Sequence, residues 1–226
     1  LFLDTVEQID YYFMKGKTMD AVVANYRMLT GNSPMMPLYL FGYIQSKERY
    51  VSSDDLINTL KEYRQRQIPI DMIVQDWNYW PEGQWGNMSM NPKFYPDKRK
   101  LADEIHSLHA KLMISIWPNA MNRPQHEEFK RKGWLLSSTP VYDAFNPLAR
   151  KLYWNYANNE FFGNDFDAWW CDASEPLDAD WTFMKDGYGA DNHRQRWELN
   201  TNLLNSVLGA ERSQLYSLYH AKGIYE

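Results

Sequence analysis

Cysteine is almost absent from this chain of 226 residues, with Cys171 as its single example. One thiol can build neither a disulfide framework nor a thiolate metal site, and it does not indicate whether the protein works in an oxidising or a reducing compartment. No apolar run reaches the roughly 18 residues that a membrane span needs. The 24 Lys and Arg are scattered among 29 Asp and Glu, which leaves no basic stripe to neutralise phosphates. Neither a membrane nor a nucleic acid is therefore a predicted partner.

Aromatic residues are plentiful, and they include 10 Trp and 16 Tyr. Flat rings with a polar tip suit either a large core or stacking against sugar rings, and composition alone cannot choose between these uses. Core packing is the commoner one.

Apolar segments with a strand pattern alternate with segments whose apolar residues repeat every three to four positions. This alternation predicts an α/β fold with a parallel sheet, either a doubly wound sheet or a (β/α)₈ barrel. Long polar and aromatic loops after the strands, and the lack of a glycine-rich phosphate loop after the first strand, favour the barrel. The predicted strands are residues 38–44, 70–75, 111–117 and 167–171.

Four strand and helix units are half of what a complete barrel needs. Residues 17–226 are therefore predicted to be the first half of a barrel. Residues 1–16 are short and aromatic, and they are predicted to be a strand that leaves a preceding structure.

The run WWCDASEP at residues 169–176 is the clearest candidate for chemistry. An apolar strand brings Asp172 to its C-terminal end beside Trp170, where burial and aromatic walls can tune the pKa of a carboxylate. The alternative is structural: Asp172 would cap the next helix, and Glu175 would complete a capping box.

This run resembles the signature of glycoside hydrolase family 31, in which a Trp, any residue, a nucleophilic Asp, two further residues and a Glu follow one another. The resemblance implies that Asp172 attacks the anomeric carbon, that Trp170 is a wall of the sugar pocket and that Glu175 orients the nucleophile loop. It extends in order and with plausible spacing over nearly the whole chain, through LTG at 29–31, IPID at 68–71, DWNYW at 76–80, FYPD at 94–97 and DAFNP at 143–147.

The resemblance also implies a substrate and its contacts. Asp76 takes the place of an Asp that binds hydroxyls of the cleaved sugar, and Trp77 and Trp117 would line the subsites. The run SIWPN at 115–119 is most similar to bacterial α-xylosidases that act on xyloglucan pieces, with α-glucosidase as the closest alternative. The predicted partner is an oligosaccharide, and no cofactor or metal is implied. The family suggests that 1–16 is the tail of an N-terminal β-sandwich domain. It also suggests a periplasmic or secreted protein, with a cytoplasmic one left open.

The second carboxyl group of such an enzyme is missing from the sequence. A retaining glycosidase needs a general acid/base about 5–5.5 Å from its nucleophile. The Trp-Ser-Gly-Asp motif that carries it in the family does not occur here. Glu175 shares the loop of Asp172 and cannot reach the opposite face of the sugar. We therefore expect the remainder of the same enzyme, the C-terminal half of the barrel, to supply the acid/base. The alternative to an enzyme is a non-catalytic carbohydrate-binding module.

Other chemistries have weaker support. His106 and His109 are spaced for one helix face but lack a partner ligand pattern, so a solvated face is predicted. Ser174 lacks the flanking glycines of a nucleophile elbow. Cys171 should point away from the pocket, because neighbouring side chains of a strand face opposite sides.

Overall fold

A polar residue before an apolar segment of helical spacing predicts helix starts at Thr18, at Ser52 or Ser53, and at Asp97, and polar side chains cap these helices in the structure. Thr18, Ser52 and Asp97 each accept a hydrogen bond from the backbone N–H three residues later, and Asn146 accepts one from Leu148. The structure, a computed structural model, describes residues 7–119, 124–137, 139–176 and 193–226. The α-helices in these ranges are α1 Met19–Thr30, α2 Ser53–Gln65, α3 Lys98–Ser107, α4 Pro124–Arg131, α5 Pro147–Glu160, α6 His193–Leu208 and α7 Tyr216–Tyr225.

The strands form one parallel sheet in chain order. Every neighbouring pair is parallel, and helices connect the strands as in consecutive units of a (β/α)₈ barrel. The predicted α/β class and barrel architecture are therefore confirmed. The strands in the described residues are β1 Ile44–Gln45, β2 Met72–Gln75, β3 Lys111–Ile116 and β4 Ala168–Cys171.

The first strand differs from its prediction. Residues 38–44 were expected to be extended, but Leu38–Phe41 is a 3₁₀ helix with Leu38 87% exposed, and β1 begins only at Ile44. The turn between them contacts the start of β2: Tyr43 N–H donates to Asp71 Oδ2 at 3.2 Å, and a Cβ on Gly42 would lie 1.9 Å from that oxygen. An apolar, aromatic run is thus a strand only where a neighbouring strand can take up its backbone hydrogen bonds.

The core lies between the sheet and the helices α2, α3 and α5. All four residues of β2 are buried, as expected for a strand of a parallel sheet that is covered on both faces. Leu56, Leu60, Leu101 and Ile105 are at most 1% exposed, so the inward faces of α2 and α3 are those that their apolar spacing predicted.

An ionic cluster joins β3 and β4 at the end of the sheet away from the strand C-termini. Asp167 Oδ1 accepts from Lys111 Nζ at 2.8 Å, and its Oδ2 accepts from the Leu112 backbone N–H at 2.9 Å and lies 2.7 Å from His106 Nε2. Burial alone would raise the pKa of Asp167, but these partners outweigh it and lower that pKa. The predicted solvated face is wrong at His106, because this side chain is only 29% exposed and contacts a carboxylate 61 residues away in sequence.

The end of the chain forms two helices, whereas its apolar spacing predicts one long helical segment over 192–222. Gly209 takes a φ of 78°, which ends α6, and a short 3₁₀ turn at Ser213–Leu215 leads into α7. Helix α7 packs on α5, and Arg150 of α5 lies against Gly223, where a Cβ would meet its side-chain carbons at 2.7–2.9 Å. Glycine lets the two helices approach this closely.

The N-terminal segment packs least against the rest. Residues 7–16 form no strand, so the predicted strand is wrong over the part of it that the structure describes, and residues 1–6 lie outside that description. Helix α1 has no buried residue, and Met19 and Met28 are about four-fifths exposed at 78% and 83%. None of the helices in the described ranges has the length and apolar content to span a lipid bilayer.

Candidate active site

Three of the predicted site residues lie directly after three adjacent parallel strands. Asp76 follows β2, Trp117 follows β3 and Asp172 follows β4. Because the strands are parallel and adjacent in the order β2, β3, β4, these residues share the C-terminal edge of the sheet. The functional groups of (β/α)₈ barrels are found at this edge.

Asp76 is half-buried and is held by its own loop. Its Oδ1 accepts a hydrogen bond from the Trp77 backbone N–H at 2.8 Å, and the strand register places Ser115 of β3 alongside it. Burial raises the pKa of Asp76 above its ordinary value, and the negative charge of Asp172 adds to the rise, whereas the Trp77 N–H and the nearby Ser115 hydroxyl oppose it. The two carboxylates are therefore close enough to interact electrostatically across the strand between them.

Asp172 is held in a similar way by its own loop. Its backbone N–H donates to Ile116 O at 3.0 Å, which continues the β4 ladder, and its Oδ1 accepts from the Ala173 N–H at 2.8 Å. Ala173 has a φ of 52°, in the left-handed region that a residue with a Cβ rarely occupies. A helix cannot begin with this residue, so the structure excludes the capping box in which Asp172 would be the cap and Glu175 the third helical residue.

Tryptophan rings form a wall beside Asp76. Trp77, Trp80 and Trp85 contact one another with ring centroids 5.4–6.5 Å apart, and Trp80 and Trp85 both meet Trp117 edge-on. Trp117 is only 3% exposed, whereas Trp77 is half-buried. The predicted subsite residues Trp77 and Trp117 thus belong to one aromatic cluster, and Trp77 is the member of that pair with more surface available.

Trp170 and Glu175 flank Asp172 in the sequence. Trp170 is 40% exposed, and in the β3 and β4 register it is the partner of Ser115. Glu175 is exposed and precedes the buried Pro176 through a cis peptide bond. Trp169, one position earlier, packs against Trp154 of α5 at 5.3 Å, so the odd and even residues of β4 face opposite sides of the sheet. Cys171 shares the side of Trp169 by this alternation.

Ser115 is the site residue that the sequence did not single out for a role of its own. It is completely buried in β3, where its Oγ accepts a hydrogen bond from Trp117 Nε1 at 3.1 Å. The available signal was a lone hydroxyl inside the apolar strand KLMISI, two residues before a tryptophan. Among the described residues, no group of three or more His, Cys, Asp and Glu side chains is arranged to hold a metal ion.

The parallel sheet, the connecting helices and the two carboxylates at its C-terminal edge define the domain as part of a TIM-type barrel. Residues 33–226 match the TIM-barrel domain of glycosyl hydrolases family 31, and the chain belongs to this family.

Several relatives are named α-xylosidases. The chain is 38% identical over 177 residues to an α-xylosidase of Saccharolobus solfataricus and 26% identical over 186 residues to α-xylosidase A of Aspergillus niger. It spans 24% and 25% of these two proteins, which cover 78% and 74% of the chain. The crystal structure of a GH31 α-xylosidase from Xanthomonas citri superimposes on 92% of the chain with a TM-score of 0.74 and 32% identity, over 23% of that protein. The chain thus corresponds to about a quarter of the length of these relatives.

Proposed function

We propose that this chain is the part of a longer retaining α-glycosidase that carries its nucleophile, and that the enzyme removes non-reducing terminal α-xylosyl residues, as in xyloglucan oligosaccharides. Asp172 is the nucleophile and Asp76 binds the sugar. Trp77, Trp117 and Trp170 shape the pocket, and Glu175 supports the nucleophile loop.

One observation carries the proposal: Asp76 and Asp172 lie at the same edge of the sheet, close enough for the charge of one to raise the pKa of the other. Two negative charges brought together are unfavourable unless other groups compensate for them. A sugar supplies suitable groups, because its hydroxyls can donate to Asp76 while Asp172 faces an anomeric carbon that becomes positively charged in the transition state.

The reaction has two displacements in this proposal. A carboxylate oxygen of Asp172 forms a bond to the anomeric carbon as the glycosidic bond breaks, and the leaving oxygen takes a proton from the acid/base. Water then gives its proton to the same acid/base, attacks the anomeric carbon and releases Asp172. The chain supplies the first of these two groups, and the rest of the polypeptide supplies the acid/base together with the C-terminal half of the barrel.

The choice of xylose over glucose rests on similarity to relatives. Names of the relatives favour α-xylosidase, but an α-glucosidase of Saccharolobus solfataricus also matches, with 23% identity over 189 residues that cover 76% of the chain. An α-glucosidase is therefore the second candidate, and it would use the same nucleophile.

Trapping of the covalent intermediate tests this proposal in the complete polypeptide. A 5-fluoro-α-xylosyl fluoride, and the corresponding glucosyl reagent in parallel, should inactivate the enzyme and label one peptide, which mass spectrometry should assign to 169–176 with the sugar on Asp172. Faster labelling by the xylosyl reagent would support α-xylosidase, and the reverse order would support α-glucosidase. Sugar binding without any label would support the carbohydrate-binding module and contradict the nucleophile assignment.

A further inference from the structure

We infer that Gln125 and Glu160 hold the tryptophan-bearing loop, residues 77–92, in the shape that binds the sugar. Gln125 lies in the first turn of α4 and Glu160 is the last residue of α5, so both are distant from the loop in sequence. They are positioning residues, which act on the sugar through the rings of the loop. The inference rests on the proposed function, because it takes the tryptophan cluster as a wall of the sugar pocket.

Gln125 pairs with both backbone polar groups of Met88, as a neighbouring strand would. Its Oε1 accepts from the Met88 N–H at 3.1 Å, and its Nε2 donates to Met88 O at 3.1 Å. A side-chain amide carries an acceptor and a donor at one end, which is what this double contact requires. Met88 is buried, so its backbone groups need partners from the protein to replace water.

Glu160 holds the loop two residues further along. Its Oε1 accepts from the Met90 N–H at 3.0 Å and from Lys98 Nζ at 2.8 Å. The ammonium group of Lys98 compensates the charge of this largely buried carboxylate, and a hydrogen bond to an ionised acceptor is stronger than one to a neutral acceptor. Side chains of α4 and α5 thus fix one stretch of the loop at two points, and we call these contacts the loop clamp.

The clamped stretch carries a ring that supports the wall. Trp85 lies three residues before Met88, and its ring centroid is 5.4 Å from that of Trp77 and 5.7 Å from that of Trp117. The loop backbone consists of turns and irregular segments, so its shape depends on contacts from outside it. Trp77 directly follows Asp76. A displaced Trp85 would therefore remove support from the part of the wall next to the sugar-binding carboxylate.

The test measures kcat and KM separately in the complete polypeptide, with an aryl α-xyloside and an aryl α-glucoside as substrates. Gln125→Met keeps the length of the side chain and removes both bonds to Met88. Glu160→Gln keeps an acceptor for the Met90 N–H, whereas Glu160→Met removes it. Gln65→Met is the matched control, because Gln65 is exposed at the end of α2.

We expect Gln125→Met and Glu160→Met each to raise KM by about tenfold, because a buried backbone group then lacks its partner and the loop rearranges. Each should keep kcat within about threefold of the parent, since the clamp supports binding and does not contact the reacting atoms. Glu160→Gln should keep KM within about threefold of the parent, because its bond to Met90 persists. Gln65→Met should match the parent.

A double-mutant cycle separates positioning of the wall from a general loosening of the fold. If Gln125 acts through Trp85, Gln125→Met should raise KM by less than about threefold in a Trp85→Ala background, because the ring that it positions is already gone. The same tenfold rise in both backgrounds would overturn the inference.

Three other results would overturn the loop clamp. One is an unchanged KM in both Gln125→Met and Glu160→Met, and another is a loss in kcat alone. The third is an equal loss in Glu160→Gln and Glu160→Met, which would assign the effect to the ion pair with Lys98. If Gln125→Met does not fold, the two Glu160 variants decide. The proposed function fails separately if Asp172→Ala retains activity. A complete polypeptide without activity on either glycoside would overturn both ideas.

Discussion

Gly86 joins the tryptophan-bearing loop to the loop after β3, and replacing it should disturb the site. Gly86 has a φ of 71°, and a Cβ there would lie 2.0 Å from the backbone oxygen of Asn119 and 2.6 Å from its side-chain oxygen. Non-bonded carbon and oxygen atoms normally stay about 3.3 Å or more apart. Gly86→Ala therefore requires a shift of more than 1 Å between two backbone segments, one of which carries Trp85.

Gly83 is the matched control in the same loop. It has nearly the same φ, 70°, but no atom lies within 4 Å of the place where its Cβ would be. Gly83→Ala should cost only the left-handed strain of about 1–2 kcal/mol. Gly86→Ala should cost that amount plus about 1–3 kcal/mol for overpacking a site that cannot expand freely. The difference between the variants isolates the close approach to Asn119.

The assay compares both variants with the parent in the complete polypeptide, by thermal unfolding and by kcat/KM on an aryl α-xyloside. Gly86→Ala should lower the unfolding midpoint more than Gly83→Ala. It should also lower kcat/KM by at least about tenfold, because a displacement of about 1 Å in a positioning element has effects of that order or larger. Gly83→Ala should keep kcat/KM within about twofold of the parent. Equal behaviour of the two variants would refute the argument that the Asn119 contact positions the loop.

Three further outcomes are expected. In the complete polypeptide, Asp172→Ala should abolish turnover while sugar binding persists. Azide should restore a reaction that gives the inverted glycosyl azide. Turnover within about tenfold of the parent would contradict the nucleophile role. The purified 226-residue chain should be poorly soluble, because it exposes strand edges. It should not sustain hydrolysis of an aryl α-xyloside. A rate of about one turnover per second or more would show that a second catalytic carboxylate lies within this chain. Burial lowers the pKa of His220 from 6.5 to about 4, so the unfolded state binds its proton first as the pH falls. Stability should therefore be complete above about pH 6.5 and decline by up to about 3 kcal/mol towards pH 4, and His220→Gln should flatten this part of a plot of unfolding midpoint against pH.

The sequence was most informative where one local rule decides the outcome. Helix starts at Thr18, Ser52 and Asp97 depend on a cap that satisfies nearby backbone N–H groups, and each cap is present in the structure. Asp76 and Asp172 follow apolar strands directly, so their location at the C-terminal edge needed only the prediction that the strands are parallel.

Contacts between distant segments could not be predicted from the sequence. The run at 38–44 has strand composition, yet Leu38–Phe41 turns away from the sheet, because a strand also needs a partner at the right distance. His106 has no ligand pattern around it in the sequence, but the fold brings Asp167 to it from 61 residues away. The apolar spacing over 19–29 predicts a helix, and helix α1 forms there, but it has no buried residue in the structure.

The sequence by itself determined the alternation of strands and helices and the positions of the two carboxylates, because periodicity, caps and strand ends are encoded within a few neighbouring residues. The tertiary structure alone decided which side chains support those carboxylates. Ser115 lies alongside Asp76 through the register of β2 and β3, and the loop of Trp85, which contacts Trp117, approaches Asn119 closely at Gly86. Such contacts join residues that are far apart in the chain, and packing of the whole sheet and its loops fixes their distances.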